Sequence, residues 1–241
     1  MRSTPVRLAE VVPFSWVDGP GNRYVVFVQG CSFDCLACHN PDTIDARAPG
    51  RRRATVGELL EEIRAAEPYL AGVTVSGGEA TMQTRFVHDL FSELRADEQL
   101  RRLTTFVDSN GYAAPRVWDR LLPVMDGAMI DLKALDPDVH LRLTGHGNEM
   151  VLETLGHLHR HGKLFEVRLL LVPGFNDSPD QLVRTGDWLA ALDPSLRVVV
   201  MGFRRHGVRA EYQQIPEAGP EGLATARDLL VRSGLHDIVT V

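Results

Sequence analysis

Short runs of apolar, largely β-branched residues recur along the chain, and stretches with the apolar spacing of amphipathic helices separate them. The runs are Tyr24 to Val28, Gly72 to Ser76, Thr104 to Asp108, Gly127 to Leu132, Phe165 to Val172 and Arg197 to Gly202. The helical stretches are Val56 to Ala66, Arg85 to Arg95, Arg116 to Leu122, Glu149 to His161, Gln181 to Leu192 and Leu223 to Ser233. Thr55 followed by Glu58 is a capping box, which fixes where the first helix starts. Alternation of this kind joins parallel strands through helical crossovers, so six parallel strands with outer helices are expected. No linker or further repeat interrupts it. One domain over 1–241 follows, with 31–38 as the loop after the first strand and 176–241 as its least characteristic part.

The unusual polar residues sit at the ends of those apolar runs. Cys31 to Cys38 follows the first, Ser76-Gly77-Gly78-Glu79 ends the second, Asp108-Ser109-Asn110-Gly111 the third and Asp131-Leu132-Lys133 the fourth. In α/β barrels the C-terminal rim of the strands carries the active site. Gly77 and Gly78 would let backbone approach a ligand closely, with Glu79 suited to an ammonium group, although two glycines also serve chain reversal alone. Asp108 and Asp131 need a cation, a basic partner or water if they are desolvated, and either can instead cap a helix. Side chains alternate along a strand, so Met129, Asp131 and Lys133 share one face. Arg168 interrupts an apolar strand; facing inward it needs a strong acceptor, and facing outward it would snorkel.

The three cysteines of the chain, Cys31, Cys35 and Cys38, occupy eight consecutive positions. Disulfides use cysteines in pairs and structural zinc takes four ligands, so three thiols on one loop suggest a metal centre with an open position. A four-iron cluster on three thiolates keeps one iron for an outside ligand. The competing arrangement is a Cys3His zinc knuckle completed by His39, although ligands on adjacent residues rarely converge on one tetrahedral ion. Composition removes other classes. A net charge of -6 and a pI near 5.8 give no basic field for nucleic acid, and Arg51 to Arg53 and Arg204-Arg205 read as solvated loop charges or local anion contacts. Met1 to Pro20 lacks a signal-peptide pattern, and no apolar run approaches the about 18 residues of a membrane span. A cytoplasmic protein with reduced thiols and no membrane partner is expected.

Taken together, the chain resembles the radical S-adenosylmethionine (SAM) superfamily and, within it, the glycyl-radical-enzyme activating enzymes. The segments that carry the resemblance are Val17 to Arg23, Val28 to Cys31 through Cys38-His39-Asn40, Val75 to Ala80, Asp108 to Gly111, Met129 to Lys133, Leu143-Thr144-Gly145 with Asn148, and Val167-Arg168 through Pro173-Gly174. The cysteine spacing is specific to the superfamily. The Asp18-Gly19-Pro20-Gly21 turn beside Gln29-Gly30-Cys31 is specific to the activating enzymes.

That resemblance implies a partial (β/α)6 barrel of parallel strands with outer helices, and a 4Fe–4S cluster on Cys31, Cys35 and Cys38. It implies S-adenosyl-L-methionine on the fourth iron, with Gly77, Gly78 and Glu79 at its amino group and Ala37 to His39 along the adenosine. Asp131, Leu132, Lys133 and Arg168 would position the rest. A histidine that the activating enzymes place after their sixth strand appears here as Arg204. Asp108, Ser109, the Met129 carbonyl and Asp131 match a K+ or Na+ site, and Asp18 lies in the turn that meets a partner's glycine loop. The implied activity is reductive cleavage of S-adenosylmethionine and removal of a hydrogen atom from a glycine of a glycyl radical enzyme, pyruvate formate-lyase or a relative. A monomer fed by flavodoxin or ferredoxin is expected. A radical enzyme acting on a small molecule or peptide in biosynthesis is the alternative.

Overall fold

The structure is a computed structural model that describes residues 3–241; the first two residues of the expected 1–241 domain lie outside the described residues. Its strands are β1 (Pro5–Ser15), β2 (Arg23–Val28), β3 (Arg53–Thr55), β4 (Gly72–Gly77), β5 (Thr104–Ser109), β6 (Gly127–Asp131), β7 (Leu164–Leu171), β8 (Arg197–Gly202) and β9 (Asp237–Thr240). The helices are α1 (Val56–Ala66), α2 (Thr84–Ala96), α3 (Pro115–Leu121), α4 (Pro137–Thr144), α5 (Glu149–Arg160), α6 (Pro179–Leu192) and α7 (Pro220–Arg232). All strands join one open sheet in the order β3-β1-β2-β4-β5-β6-β7-β8-β9. The six apolar runs read from the sequence are β2 and β4 to β8, each parallel to its neighbour. This is the expected partial barrel, open between its two edges.

Strand alternation creates the two faces of the sheet. Val26, Val73, Val75, Val107, Ile130, Val167 and Val198 point outward into the main core, where helices cover them. The α2 residues Phe86, Leu90 and Leu94 recur at helical spacing and are buried there. The alternate positions, including Ser76, Asp108, Asp131 and Arg168, line a cavity on the concave face. A single register slip would exchange these sets, so the apolar pattern that stabilises the sheet also aims the polar residues inward.

The sequence pattern missed β1, β3, β9 and α4. In β1, pairing antiparallel with β2, register shifts between Leu8 and Glu10 and between Val12 and Ser15 break the alternation that would reveal a strand. β3 and β9 have only 3 and 4 residues. For α4 the local signals exist: Asp136 caps the N-terminus by accepting from the Asp138 and Val139 amides, and Gly145 ends the helix at φ 81°.

The β1–β2 connection enters the lower concave space and is pinned there by Arg23, which is fully buried. Its Nε donates to Thr74 Oγ1 at 2.7 Å, Nη1 to the Pro20 carbonyl at 3.1 Å and Thr104 Oγ1 at 2.9 Å, and Nη2 to the Val73 and Thr104 carbonyls at 2.8 and 3.0 Å. The guanidinium also stacks 4.7 Å from the Phe106 ring centroid. Thr74 Oγ1 passes the constraint on, donating to the Asp18 carbonyl at 2.7 Å.

Candidate active site

A cavity of about 380 Å³ opens at the C-terminal rim of the parallel strands, within the size range of small-molecule sites. Cys31, Cys35 and Cys38 form part of its wall, with Ala37, His39, Gly77, Gly78, Asp108, Asp131, Lys133, Arg168 and Asp18. Residues far apart in sequence therefore meet around one space.

The cysteine loop is braced from two sides. The Asp34 and Leu36 amides donate to the Thr144 and Leu143 carbonyls at 3.2 and 3.0 Å, satisfying acceptors left over at the end of α4. From the C-terminal segment, Arg209 donates to the Cys35 carbonyl at 3.1 Å and pairs with Asp34 at 2.9 Å. His39 Nε2 hydrogen-bonds the Arg204 carbonyl at 3.0 Å. A Cβ on Gly207 would lie 2.2 Å from the His39 carbonyl oxygen, so only glycine permits this approach.

Burial pushes the Cys31 thiol up to about 12 and the Cys35 thiol up to about 11, and raises Cys38 as well. Thiols in such surroundings stay protonated and unreactive until a metal displaces the proton. Cys31 Sγ accepts from the Phe33 amide at 3.4 Å and from Asn110 Nδ2 at 3.7 Å, and Lys133 stabilises negative charge at Cys35 and Cys38. Three half-buried cysteines with N–H donors and one ammonium beside an open cavity fit an iron-sulfur cluster that leaves room for an outside ligand. The zinc-knuckle alternative is not assembled: among the described residues, no three His, Cys, Asp or Glu side chains are grouped around the place of a single metal ion.

The charged wall is already paired. Lys133 Nζ meets Asp131 Oδ2 at 2.7 Å, and Arg168 Nη1 meets Asp108 Oδ1 at 3.2 Å. Ser76 Oγ donates to the other Asp108 oxygen at 2.7 Å. Burial disfavours the Asp108 carboxylate and raises its pKa, with Arg168 opposing that rise. Burial also disfavours the Lys133 ammonium, but Asp131 and then Cys35 hold its pKa above the ordinary lysine range. Arg168 faces inward and is fixed at every nitrogen: Nε donates to Glu166 at 2.7 Å, and Nη2 contacts the Val17 carbonyl at 3.1 Å and Met129 Sδ at 3.0 Å.

Several of the expected site residues make other contacts in the structure. Glu79 is not in the cavity wall: only 1% exposed, it accepts from the Thr81 amide and hydroxyl, Ser109 Oγ and the Asn110 amide at 2.6 to 2.8 Å. It caps the short turn Ala80–Gln83, which folds its carboxylate back beneath the loop. Ser109 Oγ donates to Glu79 at 2.7 Å, and Ser109 borders the same cavity as Asp108 and Asp131. Leu132 is wholly buried in the main core. Arg204 lies outside the cavity wall and donates to the Ala218 carbonyl at 2.6 Å. Reasoning from sequence also passed over Asn110 and Arg209. Asn110 was legible as the neighbour of Ser109, whereas Arg209 sits in a segment without any pattern.

An open, mostly parallel α/β sheet with a three-cysteine loop on its rim is a radical SAM architecture, and the chain belongs to the radical SAM superfamily, whose profile matches residues 25–186. Within it, the chain belongs with the pyruvate formate-lyase-activating enzymes: that of Staphylococcus aureus is 36% identical over 207 residues, covering 83% of this chain and 82% of the relative. Among solved structures, a domain of the pyruvate-formate lyase-activating enzyme from Bacteroides vulgatus matches 71% of this chain and 99% of its own at TM-score 0.59 and 20% identity. A radical SAM methyltransferase from Sphaerobacter thermophilus matches 99% of this chain and 77% of its own at TM-score 0.66 and 17% identity. No helix among the described residues is long and apolar enough to cross a membrane.

Proposed function

We propose that this enzyme activates a glycyl radical enzyme, pyruvate formate-lyase or a relative of it. The observation that carries this reading is that Asp18, from the pinned β1–β2 turn, stands in the same cavity wall as the three cysteines. A segment of a partner that reached Asp18 would thus meet the reacting centre directly.

Cys31, Cys35 and Cys38 hold the 4Fe–4S cluster in this reading. When bound, the cluster supplies the electron that cleaves S-adenosylmethionine, and the organic radical released takes a hydrogen atom from the partner's glycine. The chain's own residues position and shield. Gly77 and Gly78 bring backbone against the amino acid end of S-adenosylmethionine: a Cβ on Gly78 would sit 2.2 Å from the Gly30 carbonyl oxygen, so this wall admits no side chain there. Lys133 and Arg168 offer cations to its carboxylate and hydroxyl groups, Asp108 and Asp131 offer acceptors, and Ala37 to His39 flank the adenosine. A K+ or Na+ ion would have to take a carboxylate from Arg168 or Lys133. A flavodoxin or ferredoxin is the proposed electron source.

The test is anoxic reconstitution and dithionite reduction with S-adenosylmethionine and a peptide carrying the glycyl-loop sequence of pyruvate formate-lyase. Peptide-dependent 5'-deoxyadenosine together with a glycyl radical doublet in electron paramagnetic resonance is expected. Cleavage without the doublet would move the substrate search to small molecules or other peptides.

A further inference from the structure

The side-chain amide of Asn110 is held so that it can point only one way. Its Oδ1 accepts from the Tyr112 amide at 2.9 Å, and its backbone N–H donates to Glu79 Oε2 at 2.8 Å. Glu79 is anchored in turn by Thr81 and Ser109. With the carbonyl end occupied by a donor, the orientation of the amide follows from the network and a flip is excluded. The Nδ2 then faces Cys31 Sγ at 3.7 Å and Ser32 Oγ at 3.1 Å. Asn110 is only 7% exposed, at the edge of the cavity that Cys31 also lines. Among the described residues, Cys31 is the one cysteine whose sulfur accepts from a side-chain N–H.

We infer that Asn110 is a positioning residue that sets the reduction potential of the cluster through Cys31, and that the buried Glu79 serves to aim it. This rests on the reading that Cys31 is a cluster ligand. Reduction adds one negative charge to the cluster, and an N–H donor to a ligating sulfur stabilises that charge. Asn110 therefore raises the potential and eases entry of the electron. The role differs from the amine-binding one expected for Glu79: the carboxylate acts inside the protein, on the amide of the residue that meets the sulfur.

Potentiometric titration of the reconstituted enzyme, monitored by electron paramagnetic resonance of the reduced cluster, tests this without reference to turnover. Asn110→Asp keeps the acceptor for Tyr112 but replaces the donor, and Asn110→Ala removes both. Each should lower the midpoint, changing the reduced fraction at fixed poise by about threefold to tenfold, where tenfold is about 59 mV for one electron. Ser32→Ala removes the other partner of the same amide and should leave the midpoint at the wild-type value. Midpoints of both Asn110 variants equal to wild type would overturn the inference, as would an equal shift in Ser32→Ala. Failure of both Asn110 variants to hold about four irons per chain would assign the residue to loop structure and overturn it equally. A wild-type chain that takes up no iron would instead sink the proposed function.

Discussion

Replacing Arg23 by Met should destabilise the chain by about 3 to 5 kcal/mol, although the residue touches no cysteine and no wall of the cavity. The side chain is fully buried and makes five hydrogen bonds to oxygens, none of them a carboxylate. At about 1.5 kcal/mol each, the low end for hydrogen bonds to a charged group, the five bonds give a gross contribution of roughly 7 to 8 kcal/mol. Relieving the burial of the guanidinium returns part of that, leaving a net loss in the range known for broken buried charge networks. Met preserves the aliphatic stem, so the loss is polar rather than a cavity effect. Arg23→Lys keeps the charge but not the planar fork, and should recover about half. Urea unfolding of the apo chain would measure both as midpoint shifts at unchanged m. Hydrogen exchange should be faster at Gly19, Gly21 and Asn22 in the Met variant, because the Pro20 and Asp18 carbonyls lose their anchor. A Met variant within about 1 kcal/mol of wild type, or a Lys variant indistinguishable from it, would refute the argument.

Asp18→Ala should leave S-adenosylmethionine binding unchanged while lowering the yield of glycyl radical; equal loss of both would remove the partner-facing role of the turn. Thr154→Val should cost about 1 to 3 kcal/mol in urea unfolding, because Trp118 Nε1, which donates to Thr154 Oγ1 at 3.0 Å, would be left buried without a partner, while the Gly111 carbonyl loses the Thr154 hydroxyl at 2.8 Å but keeps the Ala113 amide at 2.9 Å. The hydrogen bond from Arg64 holds the Asp97 carboxyl below its ordinary range. Its contribution is present above the unfolded pKa near about 3.9 and is lost as pH falls through the folded value, so Asp97→Asn should flatten the acid limb of a stability profile below about pH 4 while leaving its slope near neutrality unchanged.

The parallel sheet was readable because β4 to β8 are short, largely buried apolar runs separated by amphipathic helices, and the rim residues were readable because polar side chains end those runs. β1 escaped because its two register shifts put the apolar positions out of phase. The orientation of Glu79 and Ser109 was not readable either. Both stand in recognisable motifs, but which way a carboxylate turns depends on Thr81 and Asn110, donors brought to it by two different strands' loops. Arg204 and Arg209 lie in a segment held by backbone contacts to the cysteine loop, and contacts of that kind leave no periodic trace.

The turn that carries Asp18 is tied to Arg23 through the Pro20 carbonyl and Thr74, and to Arg168 through the Val17 carbonyl. A surface fixed in this way has little freedom left to surrender when a macromolecule arrives. In the proposed reaction the entropy of fitting then falls on the visitor, whose glycine-bearing segment has to be free to enter the cavity. The apparent dissociation constant is the intrinsic one divided by the fraction of partner molecules with that segment already released, so in this reading the partner's opening equilibrium, rather than any motion of this turn, governs how many encounters become productive. Loosening the partner's loop should quicken capture, and loosening this turn should slow it.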